Sequence, residues 1–443
     1  MSAEDGLMEV KVKGMDERVV IAGAGYAGLT AASVLDGKVD LTLIDRKVYH
    51  EMLTRAHLVA GGLEEVHEDI ILLNEVLKGR KSRIVQASIR SINLNERKIV
   101  IENDGRVEDI HYDHLILALG SEVNYYGVDG AREYAIGFRS MKDALKIRRR
   151  LNSMGDGDSI VVVGGGATGI SLAGALSEAR MILGKRFRIK VIEALDRILY
   201  GWDEYIVDKA KEVLESRGVD ILTNTKVVKV RDHSIVIDDG EEMRSDLTVW
   251  TAGVKGSSID VMPEVSRVKG YRIEVDKFSR IRGYDDAYAV GDISALRLDD
   301  GSYAPQLAQL AVRQGYRVAM NILNSIDGKE IRPLLLKMQG AILSLGSECI
   351  GTIGGLRLEG ELCRYVEEFI TYNYKRMLHG DGLALLAYED DPLANVVTFS
   401  RALSYLSVRY TLQLARLYAT TLGLGCYIGA ESAGVKRMNW LVR

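Results

Sequence analysis

Cysteine is scarce in this chain: three in 443 residues, Cys349, Cys363 and Cys426. They form no CxxC or CxxxxC pair, and they are too few and too scattered for a disulfide framework or a zinc cluster, so a reducing compartment is expected. Long apolar runs are also missing. None approaches the roughly 20 uncharged residues that a membrane-spanning helix needs, so the chain is not expected to cross a bilayer. Charge of one sign is not in excess either: a net charge of −4 with 27% charged residues gives nucleic acid no general attraction. Residues 1–14, MSAEDGLMEVKVKG, carry acids early and lack an apolar core, so they are not expected to act as a signal peptide and read as a loose tail.

What is present is length for two to three domains and one stretch around which the rest is organised, Arg18 to Thr30. Val19, Val20, Ile21 and Ala22 form a buried strand that runs into Gly23-x-Gly25-x-x-Gly28, followed by small apolar residues that open a helix. Such a turn suits a pyrophosphate: Gly23 allows the tight turn, Gly25 the approach of backbone to phosphate, and Gly28 close packing of helix on strand. Asp45, at the end of a second apolar strand and 17 residues past Gly28, is placed to accept from ribose hydroxyls.

The segment after Asp45 holds Tyr49, His50, Arg55 and His57 close together. It reads as an irregular loop over the nucleotide, its histidines hydrogen-bonded structurally rather than catalytic. Alternating strands follow from Arg83 to Ile101 with a turn at Asp104-Gly105. The buried strand of Tyr112 to Gly120 ends in small residues, and Gly120 lets backbone lie against a ligand. Ser140 to Met154 is expected to be a helix with a Ser140/Asp143 capping box.

The opening pattern then repeats. Ile160 to Val163 leads into Gly164-Gly165-Gly166-Ala167-Thr168-Gly169, a helix follows, and the next strand ends in Glu193, 24 residues past Gly169. Two such units, each between strand and helix and each with its acid, make coincidence a poor account. LTVWTAG (247–253) echoes LILALG (115–120), which points to two related halves. Ala287 to Asp292 is a further strand-to-turn pattern, ending in Gly291 and Asp292. A helix follows whose first turn is expected to contain Pro305 and which carries Ala308, Gln309 and Arg313.

Residues 331–443 open with strand-like segments and turn helical. From Leu393 to Arg443 the net charge is +5, against −9 for the preceding 392 residues. Arg401, Arg409 and Arg416 recur at helical spacing beside Leu403, Leu406, Leu414 and Leu417. A basic amphipathic helix of this kind suits an anionic membrane surface; packing on the core or on a second subunit is the alternative.

Two dinucleotide sites in one chain imply hydride passed between two dinucleotides, most naturally from a nicotinamide to a resident flavin. On VVIAGAGYAGLTAA, LIDRKVYH with its downstream VAGG, YDHLILALGS, VVVGGGATGISLAGAL, WTAGV, YAVGDIS and the PxxAQxAxxQG run, residues 18–360 resemble the two-dinucleotide-binding-domain flavoproteins. Within that group they resemble the type II NADH:quinone oxidoreductases, which do not pump protons, and their sulfide:quinone oxidoreductase relatives. The resemblance implies an α/β chain with two Rossmann-like dinucleotide-binding domains and a C-terminal α+β, amphipathic-helix region. Residues 15–120 and 253–330 would form a discontinuous FAD domain, 121–252 an NAD(H) domain, and 331–443 a membrane-association or dimerisation region.

The same resemblance assigns FAD to Gly23, Gly25, Gly28, Asp45 with Arg46, Gly120, Gly291, Asp292 and Ala308, and NADH to Gly164, Gly166, Gly169 and Glu193. Glu193 favours NADH because a carboxylate repels a 2′-phosphate, with Arg197 acting against it. Gln309 and Arg313 would border the acceptor. A quinone would be the second substrate, and the chain would lie peripherally on the cytoplasmic face of the membrane, with a homodimer as a further possibility. The sequence departs from the family at Ser171 and Ala175, where acids are usual, and at Arg313, where the pattern has glutamine. Acceptors other than quinone therefore stay open: dioxygen, a small oxidant or a partner protein, as does a redox sensor driven by NADH. Cysteine-based sulfide or disulfide chemistry is not expected, since no cysteine precedes Cys349.

Overall fold

The computed structural model describes residues 16–334, 340–385, 398 and 400–408. The expected N-terminal tail and the basic segment beyond residue 408 lie outside these residues.

Two five-stranded parallel sheets carry the architecture, and their wiring is the same. In the first, the order is Ala287–Ala289, His114–Leu117, Arg18–Ala22, Asp40–Asp45, Ser82–Gln86. In the second it is Ala135–Gly137, Leu247–Trp250, Ser159–Val163, Arg188–Ile192, Val219–Leu222. The matching strands stand in matching register: Ala22 is opposite Leu117, and Val163 is opposite Trp250. The central strands Arg18–Ala22, Asp40–Asp45, His114–Leu117, Ser159–Val163 and Leu247–Trp250 are apolar and mostly buried on both faces, as parallel sheets require, whereas the edge strands Ser82–Gln86 and Ala135–Gly137 are partly exposed. Helices Tyr26–Leu35 and Ala308–Ile326 cover one face of the first sheet, and an antiparallel layer that includes Ser88–Asn93 and Lys98–Asn103 covers the other. The expected Asp104-Gly105 turn is present with both residues at positive φ, 48° and 78°, the pattern of a two-residue hairpin.

The second sheet is covered by helices Met141–Ser153, Ala167–Ile182 and Glu204–Ser216. The Ser140/Asp143 box forms as expected: the Ser140 hydroxyl accepts from the Asp143 amide at 3.1 Å, and the Asp143 carboxylate accepts from the Ser140 hydroxyl at 2.7 Å. Into this core the first half sends Ala56, Val59 and Ala60. They belong to a short helix, Ala56–Gly61, in the segment read from sequence as an irregular loop. That segment also pairs a strand, Tyr49–Glu51, with Ile70–Leu72. Gly61 lies so close to the Ala167–Ile182 helix that an added Cβ would stand 2.8 Å from the Ala175 carbonyl oxygen.

A three-stranded antiparallel sheet, Gly340–Leu345, Glu348–Ile353 and Leu356–Glu359, leads into the helix Gly360–Leu378. Here the reading of the cysteines as scattered is corrected. The turn from sheet into helix brings Cys349 and Cys363 together as a buried disulfide, with Cα atoms 5.5 Å apart. Among the described residues no helix is long and apolar enough to cross a membrane.

Candidate functional site

The first glycine turn is closed on the inside and open on the outside. Gly23 has φ +104°, and a Cβ there would overlap the Ala118 carbonyl at the end of the neighbouring strand. A Cβ on Gly28 would overlap the Gly23 carbonyl, whereas at Gly25 it would meet nothing within 4 Å. Asp45 ties the turn down: one carboxylate oxygen accepts from the Ala24 amide at 2.7 Å and the other from the Lys47 amide at 2.8 Å. Each oxygen keeps a lone pair for a ribose hydroxyl. Arg46 is exposed beside it, its carbonyl accepting from the Gln86 amide side chain. Gly120, at φ +65°, also faces open space.

The second turn repeats this contact for contact. Gly164 has φ +113° and is backed by Ala252, and Gly169 is pressed against the Gly164 carbonyl. Gly166 is open. Glu193 accepts from the Gly165 amide at 2.6 Å and from the Leu195 amide at 2.8 Å. Arg197 is engaged by Glu204 at 2.8 Å, so its charge is turned away from neutralising Glu193.

The helix starts above these turns are left uncapped. Gly25 and Gly166 provide no side-chain cap, and neither first turn holds an acid. By contrast, helices Met141–Ser153 and Glu204–Ser216 are capped by Ser140 and Asp203. Free amides and an uncompensated positive helix end are what a pyrophosphate requires.

Among the described residues a third element returns to the first turn. Gly291, at φ +71°, lies against Ala27 and Ala311, with a Cβ there 3.3 and 3.6 Å from theirs. Its amide donates to the buried Gln314 side chain at 2.8 Å. Asp292 accepts from the Ser121 hydroxyl at 2.7 Å and the Arg139 guanidinium at 2.9 Å, while its carbonyl accepts from Gln306 at 2.9 Å. Pro305 lies outside the helix that follows, which begins at Ala308 after the uncapped Leu307. The reason is that Ala304 is held extended: its amide donates to Leu296 and its carbonyl accepts from Arg272. Gly315 on this helix packs onto the Ala27 carbonyl with no room for a Cβ.

Gly23, Gly25, Gly28, Asp45, Gly291, Asp292 and the helix start at Ala308 therefore converge, and Gly164, Gly166, Gly169 and Glu193 form a separate, equivalent turn. Gln309 donates to the Gly340 carbonyl at 3.3 Å, tying this helix to the C-terminal sheet, and Arg313 is 7% exposed. Ala175, one of the positions where the chain departs from its relatives, is fully buried against Gly61 and lines no open site. Gln314, Arg139 and Ser121 were not singled out from sequence. Gln314 stood within a quoted motif, but its partner Gly291 is 23 residues away.

Beside the first turn, His50 is buried, its Nδ1 3.0 Å from the Ala24 carbonyl and its Nε2 3.3 Å from the Tyr374 hydroxyl. Burial lowers its pKa to about 4, and that of His57, near Arg55, to about 3. Both are neutral structural imidazoles. Tyr26, the first residue of the helix above the turn, contacts the rings of His50 and Tyr374 and bonds the Thr54 hydroxyl at 2.9 Å.

Comparison with known proteins agrees with this geometry. The chain is 28% identical to the type II NADH:quinone oxidoreductase of Staphylococcus haemolyticus, an alignment covering 83% of this chain and 97% of the relative. Its fold matches NDH2 from Plasmodium falciparum, solved in complex with NADH, with a TM-score of 0.74 at 18% identity over 82% of this chain and 96% of the other. It also matches the sulfide:quinone oxidoreductase of Aquifex aeolicus, with a TM-score of 0.71 at 17% identity over 82% and 92%. The family model of the pyridine nucleotide-disulphide oxidoreductases matches residues 17–315, which include both glycine turns and the Gly291 return, and the chain belongs to that family.

Proposed function

We propose that this chain is a flavoprotein oxidoreductase that passes hydride from NADH to FAD and then two electrons to a membrane quinone, without pumping protons. The observation that carries the reading is the pair of similarly wired glycine turns, of which, among the described residues, the first alone is roofed by a returning segment. A roofed site suits a resident cofactor, and an open one suits a substrate that must leave. Bound at the first site, FAD supplies a two-electron acceptor.

The chain's own residues then have distinct tasks. Gly25 and the free amides of the Tyr26–Leu35 helix bind the FAD pyrophosphate, Asp45 its ribose, and Gly291 and Asp292 the remainder of the chain leading to the flavin. Gly166, the Ala167–Ile182 helix and Glu193 bind NADH. The uncapped start of the helix at Ala308 would direct its free amides at a bound flavin and would stabilise negative charge there. Gln309 and Arg313 border the acceptor. In domain terms, 15–120 with 253–330 hold FAD, 121–252 hold NADH, and 331–443 dock to the membrane or to a second copy at the cytoplasmic face. Exposed Leu362, Ile370, Leu403 and Val408 on the C-terminal helices support that docking.

Anaerobic reduction of the FAD-loaded protein tests the assignment. NADH bleaches the flavin band faster than NADPH, and a short-chain quinone restores it. No bleaching by either nucleotide would overturn the role of the second turn. Bleaching by NADH without recovery on quinone would overturn the acceptor.

A further inference from the structure

The glycine turn of the first half is held in part by a side chain that lies outside the glycine pattern. His50 is buried in the short strand Tyr49–Glu51, and its Nδ1 lies 3.0 Å from the Ala24 carbonyl oxygen. A carbonyl has no hydrogen to give, so Nδ1 carries the proton and donates. On the far side of the ring, Nε2 lies 3.3 Å from the hydroxyl of Tyr374, which belongs to the helix Gly360–Leu378. A neutral imidazole protonated at Nδ1 only accepts at Nε2, so the tyrosine donates. Burial, with Lys47 nearby, keeps the ring neutral. The two contacts together select one tautomer.

The effect of that tautomer is felt at Ala24, the residue between Gly23 and Gly25. Its amide donates to Asp45 at 2.7 Å and its carbonyl accepts from His50, so the peptide planes on both sides of it are pinned. The Ala24 carbonyl and the Gly25 amide share one of those planes. In a trans peptide the N–H points opposite to the C=O, and the cis bond among the described residues is elsewhere, at Met262–Pro263. Holding the carbonyl inward on His50 therefore turns the Gly25 amide outward. Ala24 is buried, whereas Gly25 is exposed and a Cβ on it would meet nothing within 4 Å. Among the described residues this amide donates to no protein group. It is left for a phosphate.

The second turn holds the same carbonyl by a different donor. Gly165 stands where Ala24 does: its amide donates to Glu193 at 2.6 Å, and its carbonyl accepts from the Leu199 amide at 2.8 Å. Leu199 takes φ +51°, a left-handed conformation that leucine seldom adopts. Two downstream segments of different sequence thus converge on one contact. In the second turn the donor is backbone, whereas in the first it is a side chain that reaches on to the C-terminal helix. Tyr26, the first residue of the helix above the turn, packs edge-on against the same imidazole, with ring centroids 4.9 Å apart.

We propose that His50 is a positioning residue for FAD, aiming the Gly25 amide at the pyrophosphate, and that Tyr374 keeps it in the tautomer that donates. The proposal rests on the reading of the first turn as the FAD site and extends that site to a residue of the C-terminal helix. His50 acts through Ala24 and moves no proton.

Equilibrium binding of FAD to the flavin-stripped full-length protein tests this in wild type, His50→Leu, His50→Asn and Tyr374→Phe, with thermal midpoints measured alongside. Leu fills most of the histidine's volume but donates nothing. Asn leaves a gap but places an N–H at the branch position of Nδ1. A role in packing alone ranks Leu above Asn in both measurements, whereas positioning ranks Asn above Leu in FAD affinity. His50→Leu is expected to weaken FAD about 10-fold, His50→Asn to recover most of that loss, and Tyr374→Phe to weaken FAD about two- to threefold. An affinity of His50→Leu equal to or above that of His50→Asn would overturn the proposal.

Nuclear magnetic resonance of the histidine ring nitrogens in the wild type needs no variant to fold. The His50 ring is recognised by its through-space contacts with the rings of Tyr26 and Tyr374. A proton on Nδ1 at neutral pH is expected, and a proton on Nε2 instead would overturn the proposal. If the wild type binds no FAD, the flavin reading fails and the positioning role fails with it, while the tautomer still decides whether His50 holds the Ala24 carbonyl.

Discussion

The two glycine turns of this chain share their backing and their acid pin and differ in what reaches them from a distance. Each is backed by a small residue of the neighbouring strand, Ala118 or Ala252, and each is pinned by an acid that accepts two backbone amides. Their sheets have the same order, but the edge strand of the first comes from residues 287–289 and that of the second from residues 135–137. The first edge strand runs into Gly291 and Asp292 and roofs the turn beside it. The second runs into Arg139, which crosses over to bind Asp292. Local sequence thus builds two equivalent glycine turns, and long-range connection covers one of them and leaves the other open.

The sharpest way to break this equivalence is to fill the tight glycines. Gly28→Val and Gly169→Val each drive a side chain into the carbonyl of the first glycine of their turn. Overpacking against backbone costs about 3 kcal/mol or more, which is over 100-fold in binding. Gly28→Val is expected to purify without flavin. Gly169→Val is expected to keep its yellow colour and resist reduction by NADH. Loss of flavin from both variants would show that the second turn is not independent.

Acid comes next, and it strikes one half. His50 and His57 both belong to the first half, and their folded pKa values are depressed to about 4 and 3. An unfolded chain binds protons at these sites from about pH 6.5 downward while the folded chain does not, so their contribution is intact above pH 6.5 and is lost as pH falls through it. At pH 5 the loss is about 2 kcal/mol for each. Glu64 acts with the opposite sign: its raised pKa means stability gained as pH falls from about 8 toward 4.5. Comparing thermal unfolding of wild type and His57→Gln between pH 7 and 5 isolates the histidine part. The wild-type midpoint should fall more steeply, and parallel curves would contradict the neutral buried imidazole. The second half has a single histidine, the exposed His233.

How much of this was legible beforehand follows the same division. Both cradles, their acids and the capping box at Ser140 were readable because each is set by residues close in sequence, whose spacing reports the geometry directly. The helix Ala56–Gly61 was not, since its six residues are too short for periodicity and its stability comes from burial in the other half's core. Pro305 looked like a first-turn proline, but the hydrogen bonds of Ala304 to Leu296 and Arg272 hold the chain extended. Cys349 and Cys363 looked scattered because 14 residues separate them, a distance that only the turn from sheet to helix erases.

Nucleotide choice at the second turn should respond by about tenfold. Glu193→Ala removes the acceptor for the ribose hydroxyls and the repulsion of a 2′-phosphate, raising the dissociation constant for NADH by about 10-fold, or about 1.4 kcal/mol, and narrowing the preference over NADPH. Glu204→Ala leaves Glu193 in place and frees Arg197 from its 2.8 Å partner. It should improve NADPH use a few-fold without weakening NADH. An unchanged NADH to NADPH ratio in Glu193→Ala would remove Glu193 from the site.

The smallest effect is expected where the two halves meet. A single guanidinium nitrogen of Arg139 donates to both Ser121 at 2.6 Å and Asp292 at 2.9 Å, so the strand exit of the second half steadies the turn that roofs the first half. Arg139 is 31% exposed, and solvent screening holds the ion pair to about 1 kcal/mol. Arg139→Ala should therefore loosen flavin by about fivefold. Asp292→Asn weakens the same contact from the other side. If the roof depends on this junction, the double variant loses less than the sum of the two single losses, because the second change removes an interaction already gone. Strict additivity in flavin affinity would mean that the halves are joined by packing alone, and that the asymmetry between the two cradles owes nothing to the Arg139–Asp292 contact.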